Sequence, residues 1–158
     1  MLTGGNPTTP PTSTPPTTPP ANQNLLAGRT LTATSHADVY SESRANDGDP
    51  NSYWESANNA FPQSLSADLG SQSTVGRLVL RLPAGWGART ETLSVLTSTD
   101  GTNWTTAKAS AGYGFDPATG NTVTVAFPGA SARYLRVTFT GNTGWPAAQL
   151  SDLQAFSS

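Results

Sequence analysis

The chain has 158 residues, with eight Lys and Arg against ten Asp and Glu and a net charge of −2. That balance excludes electrostatic steering onto nucleic acid or anionic lipid. The lack of cysteine excludes disulfides, thiol chemistry and thiolate metal sites, and no run approaches the ~18 consecutive apolar residues of a membrane-spanning helix.

Residues 7–20 read PTTPPTSTPPTTPP, fourteen residues that are all Pro, Thr or Ser. Such a run buries nothing that offsets the entropy of ordering. Residues 1–21 are therefore expected to be a disordered, extended linker, and residues 22–158 one folded domain large enough for a real core. At ~3.1 Å per residue the run is a spacer of roughly 40 Å. A spacer has a use only between two parts, so the domain is expected to be one module of a larger secreted protein. Met1-Leu2-Thr3-Gly4-Gly5 has neither the basic region nor the apolar core of a secretory signal, which is expected upstream on the parent.

Short runs of period two then follow in chain order. They begin at 31–35. Leu65, Ala67 and Leu69 share a face; Leu78, Leu80 and Leu82 share another, with Arg77 and Arg81 opposite. Leu93 and Val95 precede an Asp100-Gly101 turn, and 104–108 follows it. Val123, Val125 and Phe127 alternate with Thr; Leu135, Val137 and Phe139 alternate with Tyr134, Arg136 and Thr138; a last run spans 150–156. Eight strands with antiparallel-style turns predict an all-β, eight-stranded antiparallel jelly-roll β-sandwich. Between the strands lie polar and aromatic loops at 36–42, 44–61, 83–90 and 141–147.

A catalytic reading is weak. The single histidine is His36, no Gly-x-Ser-x-Gly elbow occurs, and a glycosidase needs two carboxylates across a cleft that a sandwich of this size rarely holds. The oxygen-rich run Arg44-Ala45-Asn46-Asp47-Gly48-Asp49-Pro50-Asn51-Ser52 has two readings. Its carboxylates suit Ca²⁺, or they cap their own backbone as Asx turns. Sugar binding needs flat rings for C–H faces and planar polar groups for hydroxyl edges. Trp86 and Trp145, held beside Gly and Pro, supply rings at the surface. Arg89, Asn142, Glu55, Asn58, Asn59 and His36 supply edges, and Tyr113 reads either as part of the site or as packing. Trp54 and Trp104 abut strand-like runs and are expected in the core.

Several segments, in order, carry a family pattern: Asn24-Leu25-Leu26-Ala27-Gly28-Arg29, Ala45-Asn46-Asp47-Gly48-Asp49, Ser52-Tyr53-Trp54-Glu55-Ser56, Leu65-Ser66-Ala67-Asp68-Leu69-Gly70, Ser98-Thr99-Asp100-Gly101-Thr102-Asn103-Trp104 and Ala132-Arg133-Tyr134-Leu135-Arg136-Val137. The chain resembles the discoidin domain of the coagulation factor V/VIII C-terminal type, and within it carbohydrate-binding module family 32. The match runs from Asn24 to Phe156.

The resemblance implies a non-catalytic module that anchors a secreted bacterial polysaccharide hydrolase to its substrate. It also implies a structural Ca²⁺ held at Arg44 (carbonyl), Asp47, Asp49 (carbonyl), Ser52 and Asp152, the last where the family usually carries Glu. Sugar binding falls on loops at one end of the sandwich, at Trp86, Trp145, Arg89, Asn142, Glu55, His36 and Tyr113. Galactose-binding members carry Arg nearer the position of Trp86. The Trp86-Gly87-Ala88-Arg89-Thr90 loop looks instead like modules appended to actinobacterial α-1,3- and β-1,3-glucanases, so a glucan is the expected ligand, with a galactoside as the alternative. A protein- or lipid-adhesion domain is a further alternative; that class uses apolar spikes among basic residues and often disulfides. The expected partners are a polysaccharide or oligosaccharide and a tethered catalytic module. No nucleic acid and no membrane span are expected, and the module is expected to be monomeric.

Overall fold

A computed structural model describes residues 19–158. Residues 1–18 of the expected linker lie outside the described part. Of its remainder, Pro19 accepts a hydrogen bond from the Ser157 hydroxyl at 2.8 Å, and Ala21 accepts one from Arg77 at 3.2 Å.

Among the described residues eight strands form, all paired antiparallel: β1 (Leu31–Ala33), β2 (Trp54–Glu55), β3 (Gln63–Arg81), β4 (Arg89–Ser98), β5 (Thr105–Phe115), β6 (Thr122–Asn142), β7 (Gln149–Leu150) and β8 (Asp152–Phe156). The main sheet runs β1-β3-β6-β4-β5 with β8 also on β3, and β2 pairs with β7 alone.

The partners of β3 divide that sheet into two parts. Its first half pairs with β1 and with the second half of β6, which continues to β4 and β5. Its second half pairs with β8 and with the first half of β6. A five-stranded and a three-stranded part therefore close on one core, the two layers of a β-sandwich. Inward residues of both parts meet in a single apolar cluster that includes Leu65, Val95, Val137 and Phe139 from the first and Leu78, Leu80, Val125 and Leu153 from the second. Each such side chain contributes about 1.5–3 kcal/mol by leaving water.

The expected strand count holds, but four expected strands are the halves of two. The run at 65–69 and that at 78–82 up to Arg81 belong to β3, and those at 123–127 and 135–139 to β6. At Gly70, φ +85°, the register shifts, between Asp68 and Ser73, and the pairing with β6 then resumes. The strands β2 and β7 have two residues each and give no periodic signal. Trp54 is fully buried as expected, its ring 5.8 Å from Phe139 and its indole N–H on the Ser35 carbonyl. Trp104 departs from expectation. It precedes β5, is half-buried, and lies 4.0 Å beneath the Arg136 guanidinium. It belongs to the outer surface, where a cation covers the ring.

Candidate functional site

The ends of β2, β4, β6 and β7 carry a cavity of about 380 Å³ walled by Tyr53, Glu55, Trp86, Arg89, Gly144, Trp145 and Gln149. Gln149 is its hub. The cross-strand register sets Gln149 opposite Glu55, and its Nε2 donates to Glu55 Oε1 at 2.9 Å. Its Oε1 accepts from Arg89 Nη1 at 2.9 Å and from Asn142 Nδ2 at 3.2 Å. Asn58 donates through Nδ2 to the other Glu55 oxygen at 3.1 Å and accepts through Oδ1 the Trp145 indole N–H at 3.1 Å. On the far side the Arg89 guanidinium lies 4.7 Å over the Trp86 ring, and Trp86 meets Tyr53 edge-on at 4.6 Å. The cavity is thus ringed by interlocked side chains, which fixes donors and acceptors before any ligand arrives.

Local chemistry places each wall. Asn121, buried in the left-handed region at φ +50°, donates through Nδ2 to the carbonyls of Pro83 and Trp86, both at 2.9 Å, and so pins the loop that carries Trp86. Asn142 Oδ1 accepts the Gly144 N–H at 2.8 Å and Asn142 Nδ2 reaches the Ala147 carbonyl at 3.0 Å, closing the turn that presents Trp145. Tyr53 stacks on Tyr40 at 4.7 Å. Burial, with Tyr40 beside it, pushes the Tyr53 hydroxyl up to about 12, so it stays a neutral donor.

The structure brings Trp86, Trp145, Arg89 and Glu55 to one cavity and sets Asn142 behind it. Two expected residues are elsewhere. His36 is exposed, with Nδ1 3.2 Å from Glu42 Oε1, and is not part of the wall. Tyr113 lies within β5, half-buried against the core. The two tryptophans also differ. Trp145 is 48% exposed, whereas Trp86 packs on the core and gives a ring face to Arg89. Tyr53 and Gln149 are wall residues that sequence reasoning missed. Tyr53 lies just before the two-residue strand β2, which gives no periodic signal. Gln149 had none, because its role comes from pairing with a segment 94 residues away.

A larger cavity, about 630 Å³, lies between the 46–50 loop and β8, with Asp47, Asp49, Arg81 and Asp152 on its wall. Arg44 and Ser52 are not on that wall. Asp47 Oδ1 accepts the Asp49 N–H at 3.0 Å and Asp49 Oδ1 the Asn51 N–H at 2.9 Å, so Asx turns shape the loop. Asp152 pairs with Arg81 at 3.1 Å. Burial raises the Asp152 carboxyl, and the nearby charge of Asp47 adds to the rise. Among the described residues no group of three or more His, Cys, Asp and Glu converges as a metal site. The oxygen chemistry of Asp47 and Asp152 suits a hard cation, which would have to compete with Arg81 for Asp152.

A family model described as NedA-like, galactose-binding domain, of the F5/8 type C kind, matches residues 44–137. No curated protein matches. Among solved structures, chitosan-binding module 1 from a chitosanase/glucanase of Paenibacillus sp. IK-5 is 29% identical at TM-score 0.72, covering 85% of this chain and 99% of that one. The family 32 module of AlyQ, in complex with 4,5-unsaturated mannuronic acid, is 25% identical at TM-score 0.68, covering 82% and 95%. The family 32 module of Clostridium perfringens NanJ, in complex with galactose, shares the fold at 24% identity and TM-score 0.68, covering 81% and 93%. A β-sandwich with a ringed aromatic cavity among these neighbours is a carbohydrate-binding module of the family 32 type, a non-catalytic class. The chain belongs to the family of NedA-like, galactose-binding domains.

Proposed function

We propose that this module holds an attached, secreted bacterial polysaccharide hydrolase against a gluco-configured polymer, an α-1,3- or β-1,3-glucan. The observation that carries the reading is the exposed Trp145 ring beside the Arg89, Glu55 and Gln149 network, a stacking face next to fixed hydroxyl-reading groups. Arg89 donates, and Glu55 accepts. The likeness to a chitosan-binding module derived from a chitosanase/glucanase supports a gluco-configured ligand and a hydrolase partner. The Pro/Thr run at 7–20 supports a tether.

A shallow site of this size gives an affinity on the order of 10 μM to 1 mM, roughly −7 to −4 kcal/mol. Retention on a polymer then comes from repeated modules or repeated sites. A Ca²⁺ ion at Asp47 and Asp152 would stiffen the loop of 44–52 and would not touch the sugar.

The test is a pull-down on insoluble glucans, chitosan and galactans together with a glycan array, using the purified chain and Trp145→Ala. Retention on glucan, lost in the variant and without release of reducing ends, is expected. Retention on galactosides alone replaces the glucan reading, and retention on no saccharide overturns the function.

A further inference from the structure

Glu91 stands behind the cavity and touches none of the space a sugar would fill. It is the third residue of β4, on the inward face with Leu93 and Val95, and it is completely buried. Its Oε1 accepts the backbone N–H of Gln149 at 3.0 Å. Its Oε2 has no hydrogen-bond partner among the described residues, and neither does the hydroxyl of Tyr113, the residue paired with Glu91 across β4 and β5. A carboxylate in that setting would be a fully buried charge with no facing cation bonded to it, a costly state.

The surroundings offer one cation. Arg89 lies two residues away on the same strand face, and its guanidinium is held by Gln149 Oε1 and the Trp86 ring. From the other elements Glu91 faces Tyr113 on β5, Asn142 on β6 and Gln149 on β7, with Glu55 on β2 beyond Gln149. Tyr113 is raised by burial and remains neutral.

Resting on the saccharide-binding reading, we propose that Glu91 is a positioning residue for this site: as a neutral acid it anchors the Gln149 backbone and leaves Arg89 to the cavity. Burial pushes the Glu91 carboxyl up to about 8, against the lowering by the Gln149 N–H and by Arg89. Above that range the ionised group draws in the one cation within reach. Arg89 then leaves Gln149 and Trp86, and the donor fork that reads hydroxyls is lost. Apparent affinity falls with the fraction of protonated Glu91, approaching about tenfold per pH unit.

The experiment follows the Glu91 carboxyl of the intact chain by ¹³C NMR from pH 4 to 10, together with the indole N–H resonances of Trp86 and Trp145. Laminari-oligosaccharide binding is measured over the same range. A Glu91 titration in the alkaline range, with the Trp86 resonance moving at the same midpoint, is expected. So is an affinity at pH 9.5 at least tenfold below that at pH 6. Glu91→Gln, neutral at every pH, should bring that ratio close to one. Titration of Glu91 near pH 4–5, a Trp86 resonance indifferent to it, or an unchanged alkaline loss in Glu91→Gln each overturns the proposal. If no saccharide binds at any pH, the functional reading fails, while the paired titrations of Glu91 and Trp86 still decide the role of Glu91.

Discussion

A Cβ on Gly144 would stand 2.8 Å from Arg89 Nε and 2.9 Å from Arg89 Cβ, so the glycine leaves the room that the Arg89 side chain takes at the cavity wall. Gly144 is itself exposed, but Arg89 Cβ is fixed to the backbone of β4, so a methyl at 144 displaces its own turn as well as the Arg89 side chain. Gly144→Ala should push Arg89 off Gln149 and the Trp86 ring. The expected result is about a tenfold loss of saccharide affinity, ~1.4 kcal/mol, with a lower melting temperature, because rotation of Arg89 alone cannot relieve the overlap with its Cβ. Calorimetric titration and thermal unfolding of the same samples check it; unchanged affinity would show that Arg89 does not read the ligand.

Trp145 and Trp54 should separate binding from stability. Trp145 is 48% exposed and Trp54 is fully buried. Trp145→Ala should remove the stacking face, lowering affinity by at least threefold, and change stability by no more than about 0.5 kcal/mol. Trp54→Ala should cost about 3–5 kcal/mol of stability through the cavity it leaves. Unfolding of the Trp145 variant by denaturant at a much lower concentration would place that ring in the core.

Stability should depend on pH through Glu91. The folded chain keeps its proton up to about 8, whereas the unfolded chain releases it near the ordinary 4.5. The contribution is therefore full below about pH 4.5 and is lost as pH rises toward 8, by about 1.4 kcal/mol per unit within that window. Asp100 is held down by the N–H groups of Asn103 and Thr102, and Asp68 by Arg133, so both act in the opposite sense and lose stabilisation as pH falls below 3.8. A melting-temperature maximum near pH 4–5 is expected, with the alkaline slope reduced in Glu91→Gln. A flat profile between pH 5 and 8 would mean that Glu91 is ionised in the fold.

Ca²⁺ should raise the melting temperature through the loop of Asp47 and the carboxylate of Asp152. A ligand that binds only the folded state adds roughly 2.7 kcal/mol at a hundredfold excess over its Kd. Chelator should reverse the gain, and Asp47→Ala should make the chain insensitive to both. If chelator leaves the parent's melting temperature unchanged, Asp47 and Asp49 serve as the Asx-turn caps they also form.

Period-two patterning is a local property, and what depends on it was legible in the sequence. The alternation of Leu135, Val137 and Phe139 announces both the strand and its inward face, and all three are buried. Gly beside Trp145 announces an exposed loop ring, but the same signal at Trp86, between Gly85 and Gly87, does not, because that ring packs on the core. Whatever depends on distant partners was not legible. The runs at 65–69 and 78–82 look like two strands, but β6 continues the pairing past Gly70 and makes one strand of two. Trp104 looks like core until Arg136, 32 residues later, lies across its ring. The cavity hub, Gln149, has its role from Glu55 and Arg89, which reach it from two other strands. Side-chain alternation along a strand follows from backbone geometry and is written in neighbouring residues. Which strand edges meet, and in what register, is decided by burial and hydrogen bonding summed over the whole sheet, and only the tertiary structure holds that sum.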